Sequence, residues 1–590
     1  MVAEKSDPEQ AAQRYIAGLD YLAQNLRLDN GEEFFLEQLR YSQALVRNYL
    51  LPCLQSNPPQ HWHVAVVGGA AAGKSTVVNI LLGQPVAETN PQAGYTRHPT
   101  AFCLAGLSFT HPLTVLRPVP GPVPGNADED IFDIRIVPAI SDWPNQLVVW
   151  DNPDMTTIHA AKYICRLLEI LGLADLVVYV ASVQRYNDRV PSNYLRMLVD
   201  SGKPVIACLT RVPERESDSV RNHFFHEVLE NIAPSNPIPC VVIPDKSWRE
   251  LTDPQAMADY RQQLLGHLRD WLAQGLQLRR RIAERGLRFL QALESRCSQL
   301  AAPQLKNLHD WQDLASKQRH LILERYRREF LERERLPIFD EAMVRLLELL
   351  ELPGFGSYIS TALRILRLPW QGLKMVWNHL TGSNVNPALQ SERATILQAV
   401  ETALANLWRE VERRRYADIF WQELSEYLHP NSPFPEQVRS EAERLFADYE
   451  RARRNYVESL ACGIYRDLQA NPLILNTLRA TKVTVELGTI GGILLTGGLN
   501  VWDLIWLPLA TSLIQALTEY LGQQYVETRR AQAKQAQLAM LKASLLEPLW
   551  KSVVQCQPVR PWQELQQTID NLPGWRSEFS QALDARLNPH

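Results

Sequence analysis

The stretch HVAVVGGAAAGKSTVVNILLGQ, residues 63–84, constrains this chain more than any other. A β-branched run, VAVV, ends at two glycines, and a helical run, KSTVVNILLG, opens just after a third. Gly68, Gly73, Lys74 and Ser75 stand in register with the pattern G-x-x-x-x-G-K-[ST], in the strand-to-helix context that the pattern requires. The physical reason is direct. Glycines let the backbone wrap around an anion, and successive N–H groups together with a helix N-terminus attract it. Gly68, Gly69, Ala70, Ala71, Ala72, Gly73, Lys74, Ser75 and Thr76 are therefore the candidate cradle for a nucleotide's phosphates. Lys74 is expected to reach the β- and γ-phosphates, and the Ser75 hydroxyl to ligate Mg2+.

The surrounding runs predict the sheet that such a loop needs. HVAVVGG, QLVVWDN, ADLVVYVAS, KPVIACLT and PCVVIPD are short and uniformly apolar, and helical stretches separate them. That alternation argues for a mostly parallel sheet covered by helices on both faces, an α/β domain over 61–250. Residues 111–128, HPLTVLRPVPGPVPGNAD, are too rich in Pro and Gly for a helix and read as a surface excursion. Before the first strand, Ile16, Leu19, Leu22 and Leu26, then Phe35, Leu39 and Leu45, recur at helical spacing, so two helices are expected within 1–60.

Beyond the α/β region the strand signal vanishes. In LQLRRRIAERGLRFLQALESRCSQL, Ile282, Phe289, Leu293, Cys297 and Leu300 form one stripe. Such spacings predict an elongated helical bundle over 251–482, to which 1–60 and the C-terminal helices of 523–590 return. A chain of 590 residues exceeds what one core can bury. The formal net charge of -4 gives no bulk attraction for nucleic acid, and no nucleic-acid partner is expected. The eight cysteines include no CxxC pair, and several sit in apolar runs, which points to reduced thiols in a reducing compartment. The opening MVAEKSDPEQAAQRYIAG carries no basic region followed by an apolar one, so a cytoplasmic location is expected.

Two further elements belong with the loop. QLVVWDNPD places Asp151 at the end of an apolar strand, where a carboxylate can reach Mg2+ through water. AGYTRHPT lies between the loop and Asp151, and a threonine there can meet both the metal and the γ-phosphate. Thr96 and Thr100 both qualify, with Thr96 preferred. Taken together, VVGGAAAGKSTVVNILLG, the Thr96-Arg97-His98-Pro99 element and Asp151-Asn152-Pro153 resemble the dynamin superfamily of large GTPases, and bacterial dynamin-like proteins in particular, over about residues 61–245. The T-R-x-P element discriminates here, because many nucleotide hydrolases share the phosphate loop. The resemblance implies a GTPase domain with GTP and Mg2+ as ligands and Lys74, Thr96 and Asp151 as its catalytic residues. It also implies Ser75, Thr96 and, through water, Asp151 around the metal, a helical trunk, and dimerisation through the GTPase domain.

Three positions depart from that family. Ala70 and Ala71 stand where dynamins carry Gln and Ser, so the side chain that positions the attacking water is missing. Asp154 stands where the second switch usually has Gly. The base-reading motif appears as Thr210-Arg211-Val212-Pro213, with Pro in place of its Asp, and Glu214 is a conceivable substitute. GTP remains preferred over ATP, with slow hydrolysis or help from a dimer mate or partner.

VELGTIGGILLTGGLNVWDLIWLPLATSLIQALTEYLG is the second informative segment. Its longest charge-free piece, Leu487 to Trp502, falls short of the roughly 20 residues of a spanning helix. Asp503 then interrupts it, and a carboxylate at the bilayer centre costs about 2.5–3.5 kcal/mol. A hydrophobic hairpin over 483–522 that dips into one leaflet fits better, with Trp502 and Trp506 at the interface and Arg479, Lys482, Arg529 and Arg530 near the headgroups. A buried core hairpin and a tilted spanning helix are the alternatives. A paddle at this relative position in bacterial dynamin-like proteins favours lipid. Residues 359–380, with Leu363, Leu366, Trp370, Leu373, Trp377 and Leu380 on one stripe and Arg364, Arg367 and Lys374 beside it, suit either a membrane-surface helix or the bundle. The leading expectation is a peripheral or monotopic GTPase at the inner face of a membrane that remodels it. The alternative is a nucleotide-binding membrane scaffold with negligible hydrolysis. A ribosome-assembly GTPase would leave 483–521 unexplained.

Overall fold

The computed structural model describes residues 7–28, 31–55, 60–89, 96–107, 113–120, 129–138, 140, 143–144, 146–156, 160–234, 237–247, 250–251, 253–332, 336–350, 387–480 and 507–587. Two compact units divide the chain: Met1–Gln304 with Glu564–His590, and Leu305–Gln563.

The first unit is built on an eight-stranded sheet in the order β3-β4-β2-β5-β1-β6-β7-β8. The strands are β1 (Trp62–Gly68), β2 (Thr100–Leu104), β3 (Arg117–Pro120), β4 (Ile131–Val137), β5 (Leu147–Asp151), β6 (Leu176–Ser182), β7 (Val205–Val212) and β8 (Cys240–Pro244). Neighbours are parallel except β2 and β5, which run antiparallel. Every residue of β5 and β6 is buried, as continuous apolar runs in a two-sided sheet require. The mostly parallel, helix-covered sheet is the α/β fold expected for a phosphate-loop domain.

The structure adds three strands, β2, β3 and β4, that no apolar run announced. Residues Arg117–Pro120, expected as part of a surface excursion, pair with β4 instead. Pro118 and Pro120 do not prevent this, because β3 is the sheet edge and Pro is tolerated where no second ladder needs its N–H.

Around the sheet lie helices Pro8–Asn25, Glu33–Leu45, Lys74–Leu82, Ala160–Leu173, Arg189–Asp200 and Ala258–Leu272, with the part of helix Leu276–Tyr326 that precedes Leu305. The helix Glu33–Leu45 lies so close to Ala160–Leu173 that a Cβ on Gly172 would meet the Ala44 backbone at 2.6 Å. The Tyr15 hydroxyl donates to Glu294 at 3.0 Å, Arg576 donates to the same carboxylate at 2.7 Å, and the Tyr15 ring meets Phe579 edge-on. The N-terminal helix and residues 572–579 thus share one buried contact.

The second unit is built of helices, with no strand among its described residues. Pro337–Leu349 contacts both Phe434–Gln469 and Leu507–Leu521, while Pro387–Glu412 contacts Ile419–Leu428 and Phe434–Gln469. At its centre Glu392, fully buried, accepts from Tyr326 and Tyr449 at 2.5 Å each and from Gln537 at 3.0 Å. Arg453 stands 3.8 Å from Glu392 and donates to Glu341 at 2.8 Å.

Of the stretch expected to meet lipid, residues 507–521 form a helix that buries Ala510, Leu513 and Leu517 within this unit. Protein neighbours therefore cover one face of that arm. Residues 483–506 and 359–380 lie outside the described residues. No helix among the described residues is long and apolar enough to cross a membrane.

Candidate functional site

The phosphate loop joins β1, near the middle of the sheet, to the helix Lys74–Leu82 at the carboxyl ends of the parallel strands, where open α/β sheets bind ligands. Two glycines are required by geometry. A Cβ on Gly68 would stand 2.0 Å from the Val180 carbonyl oxygen of β6, and Gly73 caps the helix at φ +91°. Ala71 also adopts a left-handed φ of 55°, which costs a side-chain-bearing residue energy and is held by the surrounding loop.

Lys74 and Ser75 open the helix, and their side chains meet the segment that follows β5. Lys74 is buried, donates to the Gly69 carbonyl at 3.2 Å and is ion-paired with buried Asp154. The Ser75 hydroxyl donates to Asp151 Oδ2 at 2.7 Å. The other carboxylate oxygen, Asp151 Oδ1, is buried without a hydrogen-bond partner. Burial, reinforced by the nearby Asp154 charge, pushes the Asp151 carboxyl up to about 6, against the pull of Ser75, Lys74 and Arg135. A hydroxyl and a carboxylate with an unsatisfied oxygen suit a hard divalent cation, so these residues fit Mg2+.

Segment 151–156 is also stitched to the loop through its backbone. The Met155 N–H donates to the Gly68 carbonyl at 3.3 Å, and the Thr156 hydroxyl accepts the Ala70 N–H at 2.9 Å. Asn152, fully buried, donates to the Val66 and Trp150 carbonyls at 3.2 Å each, which holds the strand end in place. Thr156 was not visible as a site residue from the sequence; the run of polar residues directly after an apolar strand end was the available signal.

Thr210 and Arg211 lie at the end of β7. The Thr210 hydroxyl donates to the Ala72 carbonyl at 2.7 Å, which ties the phosphate loop to the expected base-reading strand. Arg211 is exposed at φ 56°, at a register shift between Thr210 and Val212. Glu214, the conceivable replacement for the missing Asp, pairs with Lys246 at 2.9 Å.

The two threonines sit differently. Thr100 is the strand partner of Asp151 across β2 and β5. Thr96 precedes β2, is half-buried, and makes no hydrogen bond with Lys74, Ser75 or Asp151. The residues after Thr96 are anchored: the Pro99 carbonyl accepts the Asp133 N–H at 3.0 Å, and Arg166 donates to the Arg97 carbonyl at 3.3 Å.

Residues 63–211 match the family model described as 50S ribosome-binding GTPase. No curated protein matches the chain. Among solved structures it is similar to a chain of an oligomerised bacterial dynamin pair, described as providing a mechanism for long-range sensing and tethering of membranes. That similarity has 12% identity over 97% of this chain and 98% of the other, with a TM-score of 0.33. A second chain under the same description aligns at 12% identity over 96% and 97%, with a TM-score of 0.32. The LeoA bacterial dynamin GTPase from ETEC aligns at 10% identity over 99% and 98%, with a TM-score of 0.22.

Sheet topology, phosphate loop and family match together define the class: a phosphate-loop GTPase domain accompanied by a large helical region.

Proposed function

We propose that this chain is a membrane-associated, dynamin-like GTPase that binds GTP with Mg2+ at residues 68–76 and couples slow hydrolysis to movement of its helical region and to membrane remodelling. The observation that carries the reading is the Lys74–Ser75–Asp151 constellation at the carboxyl end of β1 and β5, with one Asp151 oxygen left for a cation. Lys74 would bind the β- and γ-phosphates, and backbone N–H groups of the loop and of the helix start would hold the remaining oxygens. Ser75 and Asp151 would hold Mg2+, which supplies charge neutralisation at those oxygens. Thr96 would complete this set on the γ-phosphate side, and Thr210 and Arg211 would border the base.

Slow turnover follows from Ala70 and Ala71, which offer no polar side chain to orient water. Removing such a group costs orders of magnitude in rate while leaving binding intact. Dimerisation through the GTPase domain would supply the missing group. The dynamin-like character rests on Thr96-Arg97-His98-Pro99, and lipid contact on residues 483–506, with 359–380 as a second candidate.

Calorimetry with GTP and ATP side by side tests the core of the reading. GTP binding that Lys74→Ala abolishes is the expected result, and equal or tighter ATP binding would overturn guanine preference. Co-sedimentation with anionic liposomes tests the membrane arm. The alternative, a nucleotide-binding membrane scaffold, is favoured by one observation: Lys74 is already engaged by Asp154. Lipid-stimulated phosphate release no greater than that of Lys74→Ala would select it.

A further inference from the structure

We infer that Asp154 determines which nucleotide this site prefers: its carboxylate occupies the place of a terminal phosphate on Lys74, so the chain favours guanosine diphosphate over triphosphate. The inference rests on the nucleotide-binding reading above and extends it to specificity.

Three contacts carry it. Asp154 and Lys74 form an ion pair in which both side chains are buried. The Thr156 hydroxyl takes the Ala70 N–H, one of the loop donors that face an anion in sites of this type. The Met155 N–H is bonded to the Gly68 carbonyl, so the backbone between these two side chains is fixed over the loop. The segment 154–156 thus supplies an anion to the loop's cation and a hydroxyl to one of its backbone donors.

A diphosphate can enter beside this segment, use the N–H groups at the start of helix Lys74–Leu82 and let its β-phosphate share Lys74 with Asp154, so that the pair survives. A triphosphate needs Lys74 for its γ-phosphate. It must then break a buried pair and leave the Asp154 carboxylate next to a second anion with water excluded, where like charges repel far more strongly than in bulk. Asp151 stands close enough for its charge to be felt by the same carboxyl cluster, which adds to the negative potential unless Mg2+ is bound. Glycine, the residue that the resemblance leads one to expect here, brings none of this charge. Asp154 is thus a specificity residue that acts on the ratio of the two affinities rather than on nucleotide binding as a whole.

The test is calorimetry of the full-length protein with GDP and with a non-hydrolysable GTP analogue, each with excess Mg2+, on wild type, Asp154→Asn and Asp154→Gly. Wild type is expected to bind the diphosphate at least tenfold more tightly. Either variant should erase most of that ratio, chiefly by tightening the triphosphate. Circular dichroism shows whether each variant folds, and the wild-type ratio stands as evidence even if neither does. Equal wild-type affinities, or a ratio unchanged by both substitutions, would overturn the inference while leaving nucleotide binding in place. A triphosphate affinity weakened by Asp154→Asn would overturn it too, since it would make the carboxylate a metal ligand. Absence of binding by either nucleotide would sink the nucleotide reading and this inference with it.

Discussion

At the residue scale the site is governed by what a buried charge requires. Asp151 offers one oxygen to Ser75 and keeps the other unsatisfied, an arrangement that costs free energy until a cation or a proton is bound. Asp151→Ala is therefore expected to weaken Mg2+-dependent nucleotide binding by tenfold or more. Titrations with and without EDTA check this: chelation should weaken the wild type strongly and the variant little. Lys74→Ala removes the only lysine of the loop and is expected to abolish measurable binding. The loop itself was legible in the sequence because glycines and a lysine at fixed spacing leave few other uses. The partner of Lys74 was not. Asp154 was visible as a departure from the family's glycine, but its pairing depends on how β5 ends beside β1, and no spacing rule encodes that. Thr156 was hidden for the same reason.

At the element scale, continuous apolar runs announced β1, β5, β6, β7 and β8, since a strand covered on both faces needs nothing polar. β4 was harder to read: its sequence IFDIRIV mixes buried Ile131, Phe132 and Asp133 with exposed Ile136, so periodicity alone does not identify it. Helix Glu33–Leu45 carries a testable device. Burial pushes the Glu37 carboxyl up to about 7, against the pull of Arg40, and the Tyr194 hydroxyl donates to it. A carboxyl whose pKa is raised on folding favours the native state most below its ordinary value of 4.5, and that contribution is lost as pH rises through about 7. Glu37→Gln should therefore gain stability relative to wild type at pH 8 and show little difference near pH 4.5, as read by thermal melts at both. In the helical unit, Glu392 holds Tyr326, Tyr449 and Gln537 together with no exposure to water. Glu392→Ala would take the shared acceptor from three buried donors and leave Arg453 with Glu341 alone, and should cost about 3 kcal/mol or more in urea unfolding.

At the scale of the whole molecule, the GTPase domain and the helical region were both legible, the first from its motif and the second from long stripes of apolar spacing. The fate of residues 507–521 was not, because an apolar helix facing protein and one facing lipid have the same composition. Its burial narrows the proposed lipid contact to 483–506, where Trp502→Glu with Trp506→Glu should reduce liposome co-sedimentation without altering nucleotide affinity.

The contact between the two ends of the chain has a consequence for how the protein is made. Tyr21 bonds to Glu564 across a separation of 543 residues, and Gly18 lies against Trp575 so closely that an added Cβ would stand 2.9 Å from its ring. During synthesis the helix Pro8–Asn25 leaves the ribosome long before its partner exists. Closing so long a loop comes late and slowly. Tyr15, Leu19 and Leu22 must meanwhile be shielded by chaperones or lie open to misassociation, and a fragment ending at residue 304 should expose enough of this surface to bind a hydrophobic dye that the full chain rejects.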